Sequence, residues 1–233
     1  MRSVAVGAAA GRTALRGRRE SVTGPVRIPN HVRTARTKAI LVQAAAEAFD
    51  ESGFAATSLG DIVARTQLTK GAVYAHFASK DELAVEVVNQ QSARWEPLID
   101  KVLARGAPVL DTVVAISYEV ARLLRTDVVV RAGMRLALER DLIDGDVPVP
   151  FVPWTERTAE LLALGQERGE VNPDVDAKAA ARVIVAAFSG VQRVSDLLAD
   201  HRDLKRRLDE LWTLLRPSLE PPRAAARSGR RSR

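Results

Sequence analysis

Two helix starts follow one another closely in the segment LTKGAVYAHFASKDEL, residues 68–83. Thr69 precedes a very short helical run, and Ser79 is followed three residues later by Glu82. This is the spacing of a capping box, in which each side chain satisfies a free backbone N–H group. A helix of about two turns is unstable in isolation. Neighbouring helices must therefore hold it in place, and its outer face is expected to make a contact of its own.

Apolar residues recur at helical spacing through most of the chain, and no segment predicts a strand. The expected fold class is therefore all-α. Gly53 is expected to end the first helix, with Phe54 as the apolar contact that follows such a glycine. Residues 145–153 are expected to form a loop, because their prolines cannot donate to a β-ladder. The predicted helices are residues 33–52, 59–66, 69–77, 79–94, 110–124, 128–139, 154–168, 177–198 and 204–215.

The second and third predicted helices, joined by a short turn, have the layout of a helix-turn-helix, whose second helix enters the DNA major groove. Ser58 begins the first of the two, with Asp61 at the capping-box distance. Val73 and Phe77 share one side of the short helix and are expected to face the core. The same layout also occurs as ordinary packing between helices.

The other side of the short helix carries Gly71, Tyr74 and Ala75, with Lys70 at its flank. Small outward residues would let the helix approach bases closely. Lys70 can reach a base edge or a phosphate, and the Tyr74 hydroxyl and Lys80 can bond phosphate oxygens. If the layout serves packing alone, Tyr74 is instead expected to be half-buried in the core.

Residues 33–83 resemble the DNA-binding domain of the TetR family of bacterial transcriptional regulators. The pieces that carry the resemblance are ILVQAAAEAFDESGFAATSLGDIVART and LTKGAVYAHFASKDELA. The resemblance implies a homodimer that binds a double-stranded DNA operator. For His76, orienting a backbone or phosphate group is as plausible as contacting a base. The implied DNA contacts are Ser58, Thr69, Lys70, Gly71, Tyr74, His76 and Lys80.

The rest of the chain is similar to receptors for γ-butyrolactone-type hormones, a subgroup that controls antibiotic production, in the pieces VVVRAGMRLALE, VPVPFVPWTE and VIVAAFSGVQRVSDLL. The similarity implies that Trp154 lines a pocket for a small apolar signalling ligand. Tryptophan supplies a broad apolar wall and one N–H donor. Phe151 would form a second wall, and Gln91 would bond a carbonyl and couple the pocket to the DNA-binding half. Phe188 and Ser189 are further candidates. Ordinary core packing is the alternative for each.

The charge is uneven along the chain. Of the formal net charge of +6, residues 1–32 carry +5 and residues 217–233 carry +4, so residues 33–216 carry −3. Both ends lack a hydrophobic period and are predicted to be disordered basic segments. They would either grip phosphates nonspecifically or be dispensable. Between them, residues 33–80 are predicted to be the DNA-binding domain, and residues 81–216 the ligand-binding and dimerisation domain.

Dimerisation is expected through the last two helices. Residues 177–198 are rich in small apolar residues, which favours close helix packing. In the last helix an apolar stripe recurs at helical spacing. Paired helices from two subunits would form a four-helix bundle, unless the stripe is buried within one chain. The stripe consists of Leu204, Leu208, Leu211, Trp212 and Leu215.

Several function classes are disfavoured. The chain contains no cysteine, which excludes disulfides and thiolate chemistry and fits a cytoplasmic protein. Its three histidines are scattered, and no hydrolase, zinc-protease or nucleotide-binding motif is present, so neither an enzyme nor a cofactor is expected. No apolar run is long enough to cross a membrane. The expected function is a ligand-responsive repressor. The alternatives are a regulator that responds to another apolar ligand, such as an antibiotic or its intermediate, and a DNA binder without effector.

Overall fold

The computed structural model describes residues 30–149 and 151–222. Within those residues it contains ten α-helices, one 3₁₀ turn and no strand, which confirms the all-α fold. None of the described helices is long and apolar enough to cross a membrane. The helices are α1 (Asn30–Ala56), α2 (Leu59–Ala64), α3 (Lys70–Tyr74), α4 (Lys80–Ser92), α5 (Trp95–Leu103), α6 (Val109–Thr126), α7 (Val128–Leu138), α8 (Phe151–Glu167), α9 (Ala177–Ala199) and α10 (Leu204–Leu219).

Gly53 interrupts α1 as the sequence predicts. Its φ of 76° lies in the region that only glycine adopts readily. A Cβ atom at this position would also lie 2.7 Å from Arg135 Nη2 and 2.9 Å from Glu139 Oε1. Phe54, just beyond, stacks on Phe49 with ring centroids 6.0 Å apart. The backbone then continues as one more helical turn to Ala56, because Phe54 returns to the core.

The predicted disorder of the two ends is wrong where the structure describes them. Residues 30–32 belong to α1, and residues 217–219 belong to α10. The end of α10 is held because Leu219 is buried and its carbonyl accepts the Asn172 N–H group at 2.9 Å. Pro217 lies inside the last turn of α10 and removes one backbone donor from it. Residues 1–29 and 223–233, which include the rest of both predicted segments, lie outside the described residues.

Two hydrophobic clusters organise the described chain. The first contains residues of the four helices α1, α2, α3 and α4 together with α7, and the second contains residues of the six helices from α5 through α10. The first cluster does not end at residue 80, because Leu83 and Val87 of α4 and Leu136 of α7 pack with Phe49 and Val73. The division between residues 80 and 81 is thus not a packing boundary, and as a functional boundary it stays a prediction. Both α4 and α7 therefore pack in the cluster that contains Val73 of α3, and they also contact the larger bundle through α5 and α6.

The turn between α9 and α10 buries a histidine. His201 is 3% exposed and has a φ of 59°. Burial lowers its pKa, and Arg131 lowers it further, against the opposing effects of Asp196, Asp200 and Asp50. A pKa below the unfolded value means that the folded state disfavours the charged ring.

Acidification is therefore expected to destabilise the fold through His201. The contribution of the neutral ring is complete above the unfolded pKa of about 6.5 and is lost as the pH falls through the lower folded value. Urea unfolding should give a higher free energy of unfolding at pH 7.5 than at pH 5.5. The variant His201→Gln should show a smaller difference between the two pH values. An unchanged difference would mean that other groups cause the acid sensitivity.

Candidate DNA-binding surface and ligand pocket

Side-chain caps fix both helices of the helix-turn-helix. Ser58 Oγ accepts the Asp61 N–H group at 3.1 Å, while the Asp61 carboxylate accepts the Ser58 N–H group at 2.8 Å. The Ser58 hydroxyl also donates to the Asp61 carboxylate at 2.6 Å, and this hydrogen bond, followed by the one from the Ser58 N–H group, lowers the pKa of Asp61. Thr69 Oγ1 accepts the Ala72 N–H group at 3.3 Å at the start of α3. The predicted capping box of α2 is confirmed, and the observed role of Ser58 and Thr69 is to begin these helices.

The outward face of α3 matches the predicted face. Val73 is fully buried and Phe77 is 3% exposed, while Tyr74 is 59% exposed, so Tyr74 is not a core residue. Lys70 and Gly71 are exposed, and nothing lies within 4 Å of the position of a Cβ atom on Gly71. The helix is shorter than predicted, because α3 ends at Tyr74 rather than at residue 77. His76, half-buried, lies just beyond that end.

Lys80 is engaged with the protein. Its Nζ atom donates to the Phe54 carbonyl at 2.8 Å and lies 3.9 Å from the centroid of the Phe54 ring. The predicted contact of Lys80 with a DNA phosphate stays a prediction and requires sharing or breaking this hydrogen bond. The capping box beside it also differs from the prediction. Ser79 Oγ accepts the Glu82 N–H group at 3.1 Å, but the Glu82 carboxylate, on a longer side chain than Asp61, accepts the Ala78 N–H group at 2.7 Å.

A polar clamp from α7 holds the end of α1. Arg135 Nη1 donates to the Asp50 carbonyl at 2.7 Å, and Glu139 Oε2 accepts the Phe54 N–H group at 2.6 Å. Arg131 forms an ion pair with the Asp50 carboxylate at 2.8 Å. Sequence reasoning missed these residues. Their spacing of four, which places all three on one side of α7, was the available signal.

Trp154, at the start of α8, is half-buried between two other aromatic side chains. Its ring meets Trp95 edge to face, with centroids 5.1 Å apart, and stacks on Phe188 at 6.4 Å. Trp154 is a wall of three cavities: a surface groove of about 570 Å³ and two interior cavities of about 40 and 20 Å³. Phe151, Phe188 and Ser189 line the smallest of these with Trp154. The structure thus brings four of the five predicted ligand-binding residues together.

The remaining walls were not predicted. Trp95 lines the groove and one interior cavity, and Ile116, Thr158 and Leu161 line the groove and the other. Trp95 had a signal in the sequence, because the chain has only three tryptophans. Among the predicted residues, Ser189 already donates to the Val185 carbonyl at 2.7 Å.

Gln91 does not line these three cavities. It is 1% exposed and lies between α4 and α7, where a Cβ atom on Gly133 would come within 2.5 Å of the Gln91 Cβ atom. Neither polar atom of its side chain has a hydrogen-bond partner within the described chain. An unsatisfied buried polar group costs about 1–3 kcal/mol. Gln91 is also one helical turn before Trp95, so its surroundings are coupled to the pocket wall.

The expected apolar stripe of α10 is mostly buried within the chain. Leu204 and Leu208 are fully buried and Trp212 is 5% exposed, while Leu211 and Leu215 pack partly on the same core. The prediction that this stripe meets a second subunit is wrong for Leu204, Leu208 and Trp212, which the same chain buries, mainly with α6 and α9. For Leu211 and Leu215, which are half-buried, it stays a prediction. On the last two helices, the exposed apolar surface lies on α9 and at one position of α10. It consists of Val183, Val194, Leu197, Leu198 and Leu214, which are 42–78% exposed.

Comparison with known proteins supports the interpretation of both regions. The family described as "Bacterial regulatory proteins, tetR family" matches residues 41–87. The "Tetracyclin repressor-like, C-terminal domain" family matches residues 107–221. Both are families of regulators rather than enzymes. The two matches together cover the caps of α2 and α3, most of the larger bundle, and Trp154 and Phe188 of the aromatic cluster, while Trp95 lies between the two matched ranges.

Individual proteins are similar over most of the chain. The A-factor receptor protein of Streptomyces griseus is 37% identical over 82% of this chain, and the alignment spans 66% of that protein, just under two thirds of its length. A γ-butyrolactone receptor described as ArpA-like has a solved structure with a TM-score of 0.71. It is 33% identical over 81% of this chain and 90% of its own.

A second solved structure contains DNA. It is the TetR family protein CprB from Streptomyces coelicolor in complex with its biological operator sequence. Its TM-score is 0.72 and its identity 32%, over 81% of this chain and 91% of that one. The two family matches, the helix-turn-helix and the all-α bundle agree, and the chain belongs to the TetR family of bacterial regulatory proteins.

Proposed function

We propose that the protein is a cytoplasmic, ligand-responsive transcriptional repressor that binds a pseudo-palindromic operator as a homodimer. A small γ-butyrolactone- or furan-type signalling molecule would bind beside Trp154 and release the DNA, and the regulated genes would belong to antibiotic biosynthesis. The observation that carries the proposal is the placement of the aromatic cavities. They lie beside α5. Along the chain α5 follows α4 directly, and α4 begins next to the exposed helix α3.

The exposed face of α3 supports the DNA-binding part of the proposal. Gly71 leaves open space, so the backbone of α3 can approach base edges in the major groove. Tyr74 and Lys70 project from the same short helix into solvent. The caps at Ser58 and Thr69 fix the two helices before DNA is bound, which reduces the ordering cost of binding.

Replacing Lys70 by alanine is expected to weaken operator binding. A specific base contact contributes roughly 1–3 kcal/mol, and loss of a cation–phosphate contact also reduces the salt dependence of the affinity. Fluorescence anisotropy at several salt concentrations, with operator and scrambled duplexes, measures both effects. The control Lys101→Ala removes an exposed lysine of α5 and should change neither. Equal affinity of the Lys70→Ala variant and the unmodified protein for the operator would contradict this role.

The size of the cavities supports an apolar ligand of moderate size. The groove of about 570 Å³ lies within the range of about 300–1,000 Å³ found for small-molecule sites. The two interior cavities are too small to hold such a ligand alone. Since Trp154 is a wall of all three, a shift of its ring would connect them. An alkyl chain would then replace aromatic contacts in the interior, while a lactone or furan ring would lie in the groove.

Release of DNA would pass through α4 and α7. A ligand that displaces Trp154 also displaces Trp95, which begins α5 directly after α4. The tight contact between Gln91 and Gly133 would transfer the movement of α4 to α7. The α7 clamp would carry it to the end of α1 and to Lys80 beside α3. A change in the separation of two α3 helices weakens binding, because half-site spacing in DNA is fixed.

Genomic footprinting tests the proposed function as a whole. Protected sites should be pseudo-palindromes upstream of a limited set of genes. Culture extract that contains the signalling molecule should remove the protection. Equal retardation of random and upstream DNA at moderate salt would contradict sequence-specific repression.

A further inference from the structure

A second kind of cavity lies where α1, α7 and α9 meet, and its walls are charged. This junction cavity has a volume of about 80 Å³. At about 30 Å³ per water molecule, that space suits two or three waters or one small oxyanion. Of the residues that line the junction cavity, only Met134 also lines a cavity beside Trp154. The charged and polar walls used below are Asp50, Arg131, Arg135, Arg193, Asp196 and His201.

His201, one wall of this cavity, has an unpartnered nitrogen atom. Its Nε2 atom lies 3.1 Å from Gln192 Nε2. An amide nitrogen is a donor, so Nε2 accepts and the ring proton is on Nδ1. The Nδ1 atom is buried and has no hydrogen-bond partner in the described chain. The Asp196 Oδ1 atom is 3.5 Å away, which is too long for a good hydrogen bond. An acceptor from outside the chain would satisfy this donor.

In each carboxylate of the cavity, an arginine engages one oxygen atom, Oδ2. The Asp50 carboxylate accepts from Arg131 at 2.8 and 2.9 Å. Asp196 Oδ2 accepts from Arg193 Nη1 at 2.9 Å. Arg131 Nη1 also donates to the Leu124 carbonyl at 3.3 Å. Each guanidinium has five N–H groups, so donors remain after these bonds. Glu139 does not line the cavity, and from Arg135 it accepts a hydrogen bond only from the Nε–H group. The walls therefore offer more donors than acceptors.

We propose that the junction cavity binds a small oxyanion, a carboxylate or a phosphate group, between the His201 Nδ1–H group and the guanidinium groups of Arg131 and Arg193. Guanidinium groups bind such anions through short, charge-assisted hydrogen bonds. The anion would connect α7, which clamps α1, to the end of α9. This site does not depend on the proposed ligand pocket, and it would respond to a different class of molecule.

Titration of the full-length protein with inorganic phosphate and with sodium acetate, at pH 7.5 and constant ionic strength, tests the proposal. Isothermal titration calorimetry should show saturable binding of at least one anion. Binding of phosphate alone would show that the site takes a phosphoryl group, and binding of acetate would show that it takes a carboxylate. Arg193→Gln, at an exposed position, should weaken the affinity at least tenfold, and His201→Gln should do the same.

The control Arg122→Gln removes an exposed arginine of α6 and should leave anion binding unchanged. Two results would overturn the proposal. One is the absence of saturable binding of either anion by the unmodified protein. The other is binding that survives Arg193→Gln and His201→Gln but is lost in Lys70→Ala, which would place the anion on the DNA-binding surface.

Discussion

Replacing Trp154 by alanine should give a repressor that binds its operator with unchanged affinity and no longer releases it. The ligand can shift the equilibrium only by its differential affinity for the two states. Moving the ratio of the DNA-binding state to the released state from 99:1 to 1:99 requires about 5.5 kcal/mol. Two pockets in a dimer would each supply about half, within the usual coupling range of about 1–3 kcal/mol. Loss of the Trp154 ring removes the wall shared by all three cavities.

Destabilisation is the competing explanation, and the same helix offers a control. Leu162 of α8 is fully buried and lines none of the three cavities. Leu162→Ala should cost about 2–5 kcal/mol of stability while keeping ligand-induced release. Trp154→Phe, which keeps an aromatic wall, should release at higher ligand concentration. If Trp154→Ala releases the operator at the same concentration as the unmodified protein, the pocket is elsewhere.

Replacing Leu197 by glutamate should dissociate the homodimer and reduce operator affinity by about 10²–10⁴-fold, the gain that linking two binding modules provides. Val183, Val194 and Leu197 are exposed on one side of α9 at spacings of eleven and three, and Gly190 between them leaves space for a second helix. A glutamate at this position would place an unpaired charge in an apolar interface, which is costly.

The exposure of Leu197 separates assembly from folding. At 68% exposure in the single chain, its replacement should change the stability of the monomer by less than about 0.5 kcal/mol. Light scattering at micromolar concentration should give the monomer mass for Leu197→Glu and the dimer mass for the control Leu142→Glu, at another exposed leucine. A dimer mass for Leu197→Glu would show that this face of α9 is not the interface.

Local patterns predicted the parts of the site that depend on few residues. The alternation of Val73 with Tyr74 and Gly71 correctly assigned the inner and outer faces of α3, because a two-turn helix has one buried side. The Ser58 cap was predicted because both partners lie within one turn. The contact of Leu204, Leu208 and Trp212 with a second subunit was wrongly predicted for a related reason. Periodicity shows that Leu204 and Leu208 are buried, but it does not show which helix covers them.

The parts that were missed depend on contacts between distant residues. The Arg135 hydrogen bond to Asp50 joins residues 85 positions apart. Gln91 was predicted to bind a ligand because its side-chain amide can bond a carbonyl. The structure shows that Gly133 makes room for it, a contact that no local pattern contains. Lys80 was assigned to phosphate, and its partner Phe54 is 26 positions away.

The most direct test of the account is a titration of the operator complex with a synthetic alkyl γ-butyrolactone. The DNA is a footprinted operator with a fluorescent label, and the protein is a variant whose only tryptophan is Trp154, made by Trp95→Phe and Trp212→Phe. Anisotropy reports operator release, and tryptophan fluorescence reports the pocket. The account predicts that both signals change together with the same midpoint. Operator release without a change in Trp154 fluorescence, or a fluorescence change at saturation with the operator still bound, would contradict it.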